Sequence, residues 1–203
     1  LKIKISILIT LFICFSCEEK KKQTVVKQEI FGEYFNLKKD NIDIYLPNTL
    51  HQYNLVEYKR MLNTIEDSIA RESEILRYNI LKYSKKNVYF FRSANHTTDV
   101  SIKMIDYYPF SKKDSNYMSS LLTHHCQEIA ETTNSTCTKI KSGYSGNHKT
   151  KAFMAKFKID SKTEPSSYST IYAVSSNSKS FIITFRSLLN RDYNKFIQKT
   201  IIN

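Results

Sequence analysis

His124, His125 and Cys126 stand side by side in a chain with five histidines and four cysteines, and imidazole and thiolate are the ligands zinc prefers. Successive residues of a helix point about 100° apart, so these three cannot close on one ion from a single turn. A zinc site would need His148, His96 or Cys137 brought in by the fold. His124, His125 and His148 are therefore the metal candidates, with His125 otherwise read as a residue at the edge of the core. We expect neither a metal nor any other cofactor.

Nucleophilic chemistry has even less to work with. Gly143-Tyr144-Ser145-Gly146-Asn147 approaches Gly-x-Ser-x-Gly, but its second glycine comes one residue early. A nucleophile elbow also lies between a strand and a helix, whereas a strand is expected to follow here, so the segment is read as a turn. A thiol nucleophile at Cys126 competes with a disulfide to Cys137, and two independent buried thiols are the other alternative. Glu66-Asp67, and Glu72 with Glu74, fall on the polar side of a helix and are read as solvated surface. Glycines at 32, 143 and 146 cannot build a phosphate-cradling loop. No nucleophile, base and orienting group are visible as a set, so no catalytic residue is assigned and an enzyme is not expected. A hydrolase is the third-ranked reading.

The elements that would position these residues follow from apolar spacing. Phe31, Tyr34, Phe35 and Leu37, a Lys38-Lys39-Asp40-Asn41 turn, and Ile42, Ile44 and Leu46 in alternation read as a hairpin ended by Pro47. Residues 55, 58, 62, 65, 69, 76, 80 and 83 keep one stripe along a helix, with Asn54 and Glu57 as a capping box and a bend near Ser73. Strands are expected over Val88–Arg92 and Val100–Asp106, then a helix from about Asp114 to Glu131 with Met118, Leu121, Leu122, His125 and Ile129 on one face. Four strands follow, over Thr136–Ser142, Lys151–Ile159, Tyr168–Ser175 and Ser180–Arg186, with a turn at Ser176-Asn177-Ser178-Lys179. The second of these four, containing Phe153, Ala155, Phe157 and Ile159, should present a second, wetter face. Asn190 should cap a last helix that turns Tyr193, Phe196, Ile197 and Ile201 inward, and Tyr107-Tyr108-Pro109-Phe110, the best candidate for an exposed aromatic patch, is rather expected to close over the sheet edge. The order β-β-α-β-β-α-β-β-β-β-α has no βαβ regularity. It predicts the α+β class, a largely antiparallel sheet with helices packed on it.

The first residues carry a different message. Lys2 and Lys4 precede a mostly apolar run from Ile5 to Phe15, then Ser16, Cys17 and Glu18-Glu19-Lys20-Lys21-Lys22. A basic flank, an apolar core and a small residue before cysteine resemble a bacterial lipoprotein signal peptide. Cys14 stands where that pattern has an aliphatic residue. The apolar run is short of the ~20 residues a membrane span needs, and a signal cut elsewhere would leave the protein unanchored. The resemblance implies a signal over residues 1–16 and a lipidated Cys17; the polar, lysine-rich composition that follows reads as a flexible tether over 17–29, and the remaining length as one globular domain over 30–203. The resemblance also implies attachment to the cell envelope of a Gram-negative bacterium, with the outer membrane the expected address. In that oxidising compartment a Cys126 to Cys137 bridge is the preferred pairing.

Net charge falls from +12 to +10 when Lys2 and Lys4 leave with the signal. Most of the basic residues are lysine, with no arginine cluster and no aromatic-interleaved basic stripe in sequence, so the charge reads as a solvated surface and nucleic acid is not an expected partner.

Ile42-Asp43-Ile44-Tyr45-Leu46-Pro47, Gly143-Tyr144-Ser145-Gly146, Thr170-Ile171-Tyr172 and the closing Asp192-Tyr193 resemble phrases of the PsbP-like superfamily of α/β/α sandwiches. That superfamily includes photosystem extrinsic proteins, DcrB-type lipoproteins and Ran-binding relatives. The resemblance spans residues 30–203 and implies a non-catalytic binding or assembly module, because its members mostly dock onto larger partners. The expectation is thus a membrane-tethered domain that binds a protein or envelope component. The alternative is an envelope lipoprotein that binds a small ligand or metal in a pocket between sheet and helices, lined by His124, His125 or His148.

Overall fold

The computed structural model describes residues 31–132, 134–146, 149–161 and 165–203. Two antiparallel sheets and four helices account for most of them. Strands β1 (Gly32–Leu37) and β2 (Ile42–Pro47) form the expected hairpin, and the two-residue β10 (Ile201–Ile202) pairs along the other side of β2. The larger sheet contains β3 (Leu50–Tyr53), β4 (Val88–Ser93), β5 (Thr98–Ile105), β6 (Ser135–Gly146), β7 (Thr150–Ser161), β8 (Ser167–Ser176) and β9 (Lys179–Ser187). Its spatial order is β3-β4-β5-β9-β8-β7-β6. Helices α1 (Leu55–Leu62), α2 (Ser68–Lys82) and α3 (Ser115–Thr132) connect the strands, and α4 (Asn194–Lys199) precedes β10.

Both faces of the large sheet are covered. On one, Leu37, Ile42, Ile44 and Leu46 of the small sheet meet Val100, Ile102, Phe181, Ile183 and Phe185, with Phe196 and Ile197 of α4 completing the layer. On the other, α3 lays Met118, Leu122 and Cys126 on Phe153, Ala155, Phe157 and Ala173. Beside it, α1 and α2 cover Phe90 with Tyr58, Leu62 and Tyr78. The second face of β7 is drier than alternation suggests: Ala152 and Met154 join the first core, and the Lys156 ammonium is withdrawn onto the Arg191 carbonyl at 2.6 Å.

Several expectations need correction. One helix across 55–83 is in fact two. Asn54 caps α1, its Oδ1 accepting from the amides of Val56 and Glu57 while Glu57 Oε2 accepts from Asn54 N. The chain then leaves the helix at Asn63, where Thr64 Oγ1 donates to the Met61 carbonyl at 2.7 Å and the amides of Thr64 and Ile65 turn back three residues. Short polar side chains that bond nearby backbone stop a helix in this way, so the break falls ten residues before Ser73.

After that break the apolar stripe no longer faces the sheet. Leu76, Ile80 and Tyr83 are solvent-exposed, Ile80 to 63%, whereas Glu74 and Tyr78 of the same helix are buried. His125 is likewise exposed and not at the core edge, and Leu121 is 47% exposed, because among its described side chains α3 seats Met118, Leu122, Cys126 and Ala130.

Gly143-Tyr144-Ser145-Gly146 is strand, with Tyr144 opposite Phe153 and Ser145 opposite Ala152. Asn190 caps no helix. Helix α4 starts at Asn194, whose amide donates to Asp192 Oδ1 at 2.8 Å, and Ile201 faces outward from β10. Of the aromatic segment, Phe110 is buried edge-on to Tyr144 while Tyr107 and Tyr108 remain exposed. The turn after Ser176 has positive φ at Asn177 and Ser178, as a tight hairpin requires.

Candidate functional site

Three of the chain's six arginines converge beneath α2. Arg92 on β4, Asp99 on β5 and Arg186 on β9 are direct cross-strand neighbours. Side chains at such positions share a sheet face about 5 Å apart, which sets a carboxylate between two guanidiniums. Helix α2 lowers Glu74 and Arg77 onto this row, and Tyr58 of α1 closes one side, stacked on Phe90 at 4.3 Å between ring centroids.

Glu74 is the hub. Its Oε1 accepts from Arg186 Nη1, and its Oε2 accepts from Arg77 Nη2 at 2.8 Å and Nε at 3.1 Å. Arg77 Nη2 also donates to the Tyr58 hydroxyl. Burial by itself would raise the Glu74 carboxyl, but the Arg186 and Arg77 guanidiniums more than offset it and hold it at about 2. Burial likewise lifts the Tyr58 phenol well above its usual value.

Asp99 goes the other way. Burial raises its carboxyl and Glu74 raises it further, while Arg77, Arg92 and Arg186 oppose the rise without cancelling it. Arg92 Nε lies 3.2 Å from Asp99 Oδ1, close enough for an ion pair. The two atoms are nevertheless buried and misaligned for a hydrogen bond, and neither has another partner. Arg92 Nη1 reaches only the Met61 sulfur, a weak acceptor, at 3.3 Å. Buried polar groups are nearly always hydrogen-bonded, so this pair is unusual.

Both open into a cleft of about 340 Å³ that Ser73, Glu74, Ser167 and Arg186 also line. A wider groove of about 780 Å³ runs past Lys38, Lys39, Tyr53, Val56 and Tyr89. Nearby, Asp40 takes hydrogen bonds from Asn87 Nδ2 at 3.1 Å and the Tyr89 hydroxyl at 2.5 Å, so its polar groups are already matched.

The residues singled out in the sequence are dispersed. His124 is exposed, with Nε2 3.3 Å from Glu128 Oε1, and His125 points to solvent. Cys126 and Cys137 stand at disulfide distance, with Cα atoms 6.0 Å apart, joining α3 to β6. His148 and Cys17 lie outside the described residues. Among the described residues no three His, Cys, Asp or Glu side chains gather as metal ligands. Ser145 lies within edge strand β6, paired with Ala152 of β7, and not on a strand-to-helix turn, so it forms no nucleophile elbow. Glu66, Asp67 and Glu72 are exposed as expected, but Glu74, read as solvated, is 6% exposed.

Sequence reasoning missed Arg92, Asp99, Arg186, Arg77 and Tyr58. One signal was available: in a chain that writes its basic surface in lysine, Arg92 and Arg186 each fall at the end of an expected strand, where a planar, bidentate donor rather than simple charge is called for.

The architecture defines an α+β sandwich of two antiparallel sheets and four helices with a buried arginine and carboxylate cluster on one face. The fold is PsbP-like. It is similar to the solution structure of cyanobacterial PsbP (CyanoP) from Synechocystis sp. PCC 6803, with a TM-score of 0.56 over 85% of this chain and 92% of that chain and 7% sequence identity. At that identity the likeness is one of fold alone. No family model matches the sequence and no curated protein matches it.

Proposed function

We propose that this chain is a lipid-anchored cell-envelope protein whose PsbP-like domain binds a protein or envelope component without catalysing a reaction. The observation that carries the binding half is the outward face of α2. Leu76 and Ile80 on α2 and Tyr83 just past its end recur at helical spacing, all three exposed, on a helix whose inner face is anchored by Glu74, Arg77 and Tyr78. Aromatic and aliphatic side chains held on a rigid element supply contact area at little entropic cost. The anchor rests on Lys2, Lys4, the apolar run and the Ser16-Cys17 boundary. Cys126 and Cys137 at disulfide distance suit an oxidising envelope compartment.

Intact-mass measurement of the protein extracted from membranes tests the anchor. A mature chain beginning at an acylated Cys17 is expected, and a chain retaining residues 1–16 without acyl groups would refute it.

The second reading is a small-ligand lipoprotein, and the cleft beneath α2 favours it. The pocket lies between sheet and helices, but arginines and carboxylates line it where histidines were expected.

A further inference from the structure

We propose that the cleft beneath α2 binds hydrogen phosphate, an oxyanion held by Arg92 and Arg186 that shares its own proton with Asp99. This deepens the small-ligand reading and is independent of the anchor.

The site already contains what such an anion needs. Arg77, Arg92 and Arg186 face Glu74 and Asp99 in the buried cluster, and Asp67, exposed at the cleft's wall, adds a third carboxylate, so what the site offers is unspent guanidinium N–H donors and not an excess of charge. Glu74 is fully engaged with Arg77 and Arg186 and neutralises no more. Arg92 is the guanidinium with donors left over: its side chain is only 9% exposed, its Nε makes no hydrogen bond, and the carboxylate beside it is the misaligned Asp99. A guanidinium presents five N–H donors in a plane, and the bond from Arg186 to Glu74 uses one of them. Planar donors of this kind match the oxygens of a tetrahedral oxyanion two at a time.

Asp99 decides which oxyanion. A carboxylate in the middle of an arginine row repels an anion unless a proton lies between them. Its Oδ1 is buried and without a hydrogen bond, so it waits for a donor. Hydrogen phosphate brings that donor on its own oxygen, and sulfate at neutral pH does not. A phosphomonoester loses its last proton near pH 6, so above that pH it too arrives without one. The cleft of about 340 Å³ admits a hydrated tetrahedral anion readily, since one water occupies about 30 Å³. Ser73 and Ser167 stand at its walls as further hydroxyl groups.

Isothermal titration of the purified full chain at pH 8 with inorganic phosphate, sulfate and methyl phosphate, at one ionic strength, tests this directly. The wild-type comparison needs no variant. Phosphate is expected to bind at least tenfold more tightly than either competitor. Sulfate or methyl phosphate binding as tightly as phosphate would overturn the assignment and leave the small-ligand reading standing, and no binding of any of the three would remove both. In Asp99→Asn the preference for phosphate over sulfate should shrink at least fivefold, with folding checked by circular dichroism. A correctly folded Asp99→Asn that keeps the full preference would refute the role given to Asp99.

Discussion

Arg186 on β9 donates to Glu74 on α2 across 112 positions of sequence, joining the centre of the large sheet to the helix above it. Removing one partner of a fully buried pair strands the other at a cost of about 3 to 5 kcal/mol, and the 32% exposure of Arg186 places this pair toward the lower end. Glu74→Ala should therefore lower the urea midpoint sharply, while Lys86→Ala, which breaks the exposed pair with Asp106, should leave it nearly unchanged. Equal effects of the two substitutions would mean that the buried cluster does not stabilise the fold.

The same carboxylate sets an acid limit. Glu74 titrates in the folded chain at about 2, below its ordinary 4.5. Its contribution is thus complete above pH 4.5 and is lost as pH falls from there toward 2, because the unfolded state takes up the proton first. Thermal melts across this window should show a steeper decline for wild type than for Glu74→Gln.

Asp99 has the opposite sign. Its carboxyl is raised in the folded chain, so the unfolded state ionises first and stability declines as pH climbs above the ordinary 3.8 toward the folded value. Asp99→Asn removes that decline. Relative to wild type, the variant should gain stability as pH rises from 4 to 7, a trend that paired melts at the two pH values would reveal.

A bridge between Cys126 and Cys137 closes an eleven-residue separation, and loop closure of that length is worth about 2 to 3 kcal/mol on the chain-entropy model. Dithiothreitol should lower the urea midpoint of wild type by a corresponding amount and leave Cys126→Ser/Cys137→Ser unaffected. A wild-type midpoint indifferent to reductant would show that the two thiols are not joined.

What the sequence revealed, and what it hid, divides by range. The first hairpin, the Asn54 and Glu57 capping box, α3 and the alternation through β7 to β9 are written in neighbours a few residues apart, and each lies close to its expected place. Strand β3 and the two residues of β10 were missed because their ladders are short and are set by distant partners, Phe90 to Ser93 and Ile42 to Asp43. Glu74 was misread for the same reason. On its own helix it looks like one of several surface acids, and only Arg77, Arg186 and Tyr58 around it make burial tolerable. Helical spacing also aimed Leu76, Ile80 and Tyr83 at the sheet, but the break at Asn63 re-aims α2 and turns that stripe outward.

That outward stripe carries the central claim, and site-specific photo-crosslinking in intact cells tests it most directly. A photo-reactive residue at position 80 should trap a discrete adduct, one that is lost in Leu76→Glu/Tyr83→Glu, while the same group at the exposed position 72 should trap little. Equal labelling from positions 80 and 72, or no adduct from position 80, would contradict the account.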